Sequence, residues 1–156
     1  MATYLLPDEP RPSALAHLAV DPMWPLLATM FAGSWLAMPW FVVNSFALGS
    51  PTRNREIASA LLLLIGGAAL IWWLEHAAQT GIIGDQAMRY TDLSVIALRL
   101  TCAYTIYLLQ QRVCELFQHF GGRLNNGFAV LALATVILKP MVVSVLKPSM
   151  LGGLLL

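Results

Sequence analysis

Four stretches of this chain are long, apolar and almost free of charge, and that property constrains its fold more than any motif. The run 23–48 carries no charged side chain, and the run 93–109 carries only Arg99. The run 57–79 carries Glu75, and the run 127–146 carries only Lys139, followed at once by Pro140. Backbone polar groups survive in hydrocarbon only when paired within the segment, so runs of this length read as transmembrane helices.

Composition agrees. The chain has 156 residues, 58% hydrophobic and 11% charged, with mean hydropathy +0.71. Soluble domains average about 25% charged residues. The net charge of +1 supplies no field for nucleic acid, and no Lys/Arg cluster marks a strong anionic-lipid site. Residues 1–12 lack the basic start and apolar core of a signal peptide, so the first run is expected to be retained.

The expected fold is all-α: a polytopic membrane protein of four transmembrane helices in an antiparallel bundle with short loops. The spans are read at 23–48, 57–79, 92–111 and 127–147. Residues 1–22 form an N-terminal tail, in which Ser13 could cap a brief interfacial helix up to Val20. Residues 148–156 form an apolar C-terminal tail, read as lying in the interface or against another subunit. Pro39 and Pro140 are expected to kink their helices. Ala28, Ala32, Gly33 and Ala37 on the first span, and Gly66 and Gly67 on the second, would let helices approach closely. Asn44 reads as interhelical hydrogen-bond glue.

Orientation follows from basic residues. Arg53, Arg55, Arg112 and Arg123 fall at one end of a four-span threading, and Arg11, Arg89 and Lys147 at the other. The bias favours both termini outside the cytoplasm, in a bacterial inner membrane. The same threading gathers Trp24, Trp72, Trp73 and Tyr90 into one interfacial belt.

A cation inside such a run is costly and usually faces a partner or a wet cavity. Arg99 lies seven residues in from Asp92, and Lys139 eight residues in from Lys147. Both are therefore expected about 10–12 Å inside one boundary. Glu75 and Asp92 enter from that side, so Arg99, Lys139, Asp92 and Glu75 form an expected polar cluster. It reads as an ion-paired staple, as a contact for a partner's acid, or as a transport site.

Other chemistry is poorly supported. Cys102 and Cys114 would stand about 18 Å apart on one helix, too far for a disulfide. His17, His76 and His119 do not converge on a haem or a metal site. No G-x-S-x-G or H-E-x-x-H motif occurs, and no span carries two aspartates. No cofactor and no enzymatic activity are expected. Arg112, Glu115 and His119 share one helix face and are candidates for partner docking. The expected function is a non-catalytic, partner-binding or accessory subunit of a membrane complex, joined to lipid and to another membrane protein or further copies of itself. The alternative is an oligomeric channel or transporter with a polar site at Arg99 and Lys139.

Overall fold

A computed structural model describes residues 14–81 and 85–146, except the side chains of residues 78, 85–89, 91, 92, 145 and 146. The expected C-terminal tail 148–156, Lys147 and the Asp92 side chain lie outside these residues. The fold is all-α. A short 3-10 turn (Ala16–Leu18) leads into α1 (Met23–Phe31) and α2 (Ser34–Ala47). Next comes α3 (Arg53–Leu61), which passes through a π turn (Leu62–Gly66) into α4 (Gly67–Gln79). The longest helix, α5, runs over Asp85–His119. α6 (Phe128–Leu133), a second π turn (Ala134–Leu138) and α7 (Lys139–Leu146) complete the described chain.

Among the described residues, two helical stretches are long and apolar enough to cross a membrane, Arg53–Ala77 and Leu93–His119; Phe128–Ser144 is shorter. The expected first span is not one helix. Its direction reverses at Gly33, whose φ of 113° belongs to a region that side chains disfavour. Val20 donates its N–H to Asn44 Oδ1 at 2.9 Å, and Ala19 packs with Ala47 and Leu48. Residues before α1 therefore touch the end of α2, so the two helices form an antiparallel hairpin. Ala28 and Ala37, one on each arm, are fully buried in the shared core, where small side chains let the arms close. The fold turns at Gly33, while Pro39 lies within α2. With nine and fourteen residues, the arms measure about 14 and 21 Å.

The hairpin revises the threading. Asn125 donates to Ala19 O at 2.8 Å, so the N-terminal segment sits at the end that also bears Arg53 and Arg123. The termini themselves, expected outside the cytoplasm, lie outside the described residues. The expected aromatic belt divides too: Trp24 packs on Phe128 near this end, whereas Trp72 and Trp73 lie toward the far end of α4. The expected interfacial helix over 13–20 is reduced, among the described residues, to the one 3-10 turn.

Helix α5 supplies the spine. Its buried stripe, Val95, Cys102, Ala103, Ile106, Gln110, Val113 and Phe117, follows the spacing of one helical face. It packs against the hairpin and α3 around Phe41, Met38 and Leu63. Gly127 begins the last helical run beneath two indoles: a Cβ there would lie 2.6 Å from Trp24 Cγ and 2.9 Å from Trp40 Cζ2. Pro140 removes a donor from the helical ladder just after the second π turn.

Candidate functional site at the hairpin tip

Two polar layers lie between the helices. The first is sealed. Glu56, 1% exposed, receives Ser50 Oγ at 2.5 Å and Thr52 Oγ1 at 2.7 Å on Oε1, and Gln110 Nε2 at 2.8 Å on Oε2. Gln110 Nε2 also donates to Phe41 O at 2.7 Å, and Gln110 Oε1 accepts from Asn44 Nδ2 at 2.9 Å. Asn44 Oδ1 completes the chain at Val20 N. Three helices and the N-terminal segment are thus tied by one carboxyl group and two carboxamides. Such a satisfied network fixes one arrangement of the helices.

The second layer surrounds the hairpin tip. The last carbonyls of α1 have no helical donors, and side chains supply them. Lys139 Nζ donates to Phe31 O at 2.7 Å. Trp35 Nε1 donates to Ala32 O at 2.8 Å. A lysine side chain on a helix leans toward that helix's N-terminus, which directs Lys139 back to the tip.

Register brings Arg99 to the same level. Asn44 bonds Gln110, and Ala47 packs with Val113, so α2 runs parallel to α5. Counting back eleven residues along both helices sets Gly33 and Arg99 at about the same level along the bundle. Eleven residues are almost three full turns, so Arg99 shares Gln110's face, which meets α2. Ser34 lies on the buried face of α2 with Ala37, Phe41 and Asn44 and is itself 0% exposed. Ser34 Oγ, Arg99 Nε and Thr135 Oγ1 are buried and have no hydrogen-bond partner among the described residues. Thr135 stands one turn before Lys139, on the helical run that follows α1 from Trp24–Phe128 contact to Phe31.

The expected cluster is therefore partly rearranged. Lys139 meets a backbone carbonyl. Arg99 is half-buried, and Glu75 is half-buried farther along α4. The Asp92 side chain lies outside the described residues. Ala32 and Gly33 form the hairpin turn, and Gly66 and Gly67 end the first π turn and begin α4. Arg112, Glu115 and His119 are all exposed on the outer face of α5. Among the described residues, no three His, Cys, Asp or Glu side chains group as metal ligands.

Glu56 and Gln110 escape a reading of the sequence. An acidic residue in a first helical turn ordinarily signals a solvated helix start, and Gln110 sits in a polar stretch that resembles a helix leaving the membrane. The one available signal was Ser50 and Thr52 close before Glu56, which provides hydroxyl donors.

Comparison with protein-family models, with curated protein sequences and with solved structures finds no match to this chain. What defines it is the geometry: an all-α protein with two helices fit to cross a membrane, wrapped around a short helical hairpin.

Proposed function

We propose that this chain is a multi-pass integral membrane protein, non-catalytic, that conducts or transports a small solute as part of an oligomer. Arg53–Ala77 and Leu93–His119 would span the bilayer, the hairpin would enter and leave from one side, and residues 128–146 would form a third, bent crossing. Helical spans suit the bacterial inner membrane, since outer-membrane proteins are barrels. Arg53, Arg55, Arg112 and Arg123 would face the cytoplasm under the positive-inside rule, and the N-terminal segment with them.

The chain reversal at Gly33 carries this reading. With arms of about 14 and 21 Å, the tip lies near the middle of a hydrocarbon core about 30 Å thick. Non-helical backbone at that depth is tolerated where it is buried in protein or lines a wet cavity. Discontinuous helices near the midplane are a common way for secondary transporters to hold a polar solute. Three crossings and a hairpin enclose little space, so further copies of the chain would complete a pathway. The test is flux: protein reconstituted in liposomes should release trapped small ions faster than protein-free liposomes, and equal rates would reject the reading.

An accessory-subunit role is the second reading. Only 17% and 28% of the two most apolar span windows are buried within the chain, which leaves wide faces for lipid or a partner. Arg112, Glu115 and His119 extend this face beyond the membrane. Stable co-purification of one membrane partner without any flux would favour this role.

A further inference from the structure

We infer that the crevice between α2 and α3 is a binding site for a neutral lipophile that carries a carbonyl, of the quinone type, with Ser34 as its hydrogen-bond donor. The site goes beyond the transport reading and is independent of it.

The crevice has a volume of about 380 Å³. Its inner wall is Ser34, Met38 and Ala60, all buried. Its mouth is Pro39, Leu61 and Leu64, all exposed. From Ser34 to Val42, which also lines it, it follows two turns of α2, about 12 Å. Both enclosing helices are irregular where they border it. Pro39 removes one bond from the α2 ladder, and Leu64 belongs to the π turn Leu62–Gly66. Turns of that kind concentrate at functional sites. Trp35 forms a fixed wall, because its Nε1 already donates to Ala32 O at 2.8 Å.

One group in the crevice asks for a ligand. Ser34 is 0% exposed, and its Oγ has no hydrogen-bond partner among the described residues. A buried hydroxyl left unmet is costly. The other lining side chains are apolar apart from the occupied indole N–H of Trp35. That lining selects the occupant. None of it is charged, so an ionic head group would lose its hydration without a partner to replace it. A plain hydrocarbon chain would fill the space and leave the hydroxyl unmet. A neutral molecule with a carbonyl on an apolar body meets both conditions, since Ser34 can donate to it. An apolar cavity of a few hundred cubic ångströms with one placed polar group is the common form of a small-molecule site. Leu61 and Leu64 stand on Arg53–Ala77, a helix long and apolar enough to cross a membrane. Within a bilayer, a molecule dissolved in the hydrocarbon reaches the mouth from the side.

The test uses the full chain in neutral detergent, with a decyl-substituted benzoquinone as the probe. Quinones quench indole emission on contact, and Trp35 lines the crevice. Saturable quenching is expected, and Trp35→Phe should remove most of it. Ser34→Ala should raise the half-saturating mole fraction about fivefold to tenfold, as loss of one hydrogen bond would. Ala60→Phe, which fills the crevice from its inner wall, should abolish saturation. If Ala60→Phe does not fold, Ser34→Ala decides. Decylbenzene, with the same chain and no carbonyl, should compete about tenfold more weakly than the quinone. Equal competition by decylbenzene would mark a plain groove for lipid chains and overturn the proposal. Quenching that never saturates, that Ser34→Ala leaves unchanged, or that survives Trp35→Phe in full would overturn it as well.

Discussion

Lys139 Nζ lies 2.7 Å from Phe31 O, so a cation near the end of the chain serves the carbonyl end of its first helix. The contact links residues 108 apart in sequence and turns an apparent defect of the last apolar run into a support for the hairpin. Lys139→Met should lower stability by about 1–2 kcal/mol, since it strands a carbonyl and removes a cation from a helix C-terminus. Lys139→Arg, which keeps a donor, should lose less. Thermal unfolding in detergent compares the two.

Gly33 should tolerate no side chain. At φ 113°, alanine is strained by about 1–3 kcal/mol. Gly33→Ala is expected to lower the unfolding midpoint, whereas Gly66→Ala should be milder. Gly66 ends the first π turn without a positive φ, and a Cβ there meets its nearest side chain at 3.5 Å.

Removing the Glu56 carboxyl should cost more than either. Glu56→Ala removes the shared acceptor of Ser50, Thr52 and Gln110, at about 1–3 kcal/mol for each donor left buried and unmet. Gln110 keeps its bond to Phe41 O, and Ser50 and Thr52 can still pair with each other. Glu56→Gln preserves shape and one acceptor oxygen, and should retain most of the fold. The yield of monodisperse protein after size-exclusion chromatography, followed by thermal unfolding, separates the two variants.

Gly127→Ala should push Trp24 and Trp40 apart, because its Cβ would fall inside contact distance of both. A loss of about 1–3 kcal/mol is expected for such overpacking. A change in the tryptophan emission maximum without loss of helical circular dichroism would locate the effect.

The sequence makes the all-α class legible, because runs such as 57–79 leave few other ways to satisfy the backbone. It also marks Arg99 and Lys139 as unusual, since a charge in an apolar run needs no partner to be noticed. The hairpin is hidden for a physical reason. A run of 26 apolar residues has the same composition whether it crosses once or folds back, and the small residues around Gly33 suit either outcome. Pro39 attracts attention as a helix breaker, yet it lies exposed within α2 and the helix continues through it. Gly33 decides the matter through a backbone angle that no periodicity reveals. The Glu56 network is hidden because its members, Asn44, Glu56 and Gln110, come from three separate helices, each beside a boundary where polar residues are ordinary.

The hairpin makes one topological demand that a continuous first span does not. Asp21 and Asn54, both exposed, must lie on the same side of the membrane, with Thr80 on the other. Single cysteines at these positions, Asp21→Cys, Asn54→Cys and Thr80→Cys, can be placed in a chain whose Cys102 and Cys114 are replaced by alanine. Labelling with a membrane-impermeant maleimide in vesicles of defined orientation reads the side directly. The expected result is that Asp21→Cys and Asn54→Cys label from one side and Thr80→Cys from the other. Labelling of Asp21→Cys together with Thr80→Cys, opposite Asn54→Cys, would contradict the hairpin and the site built on its tip.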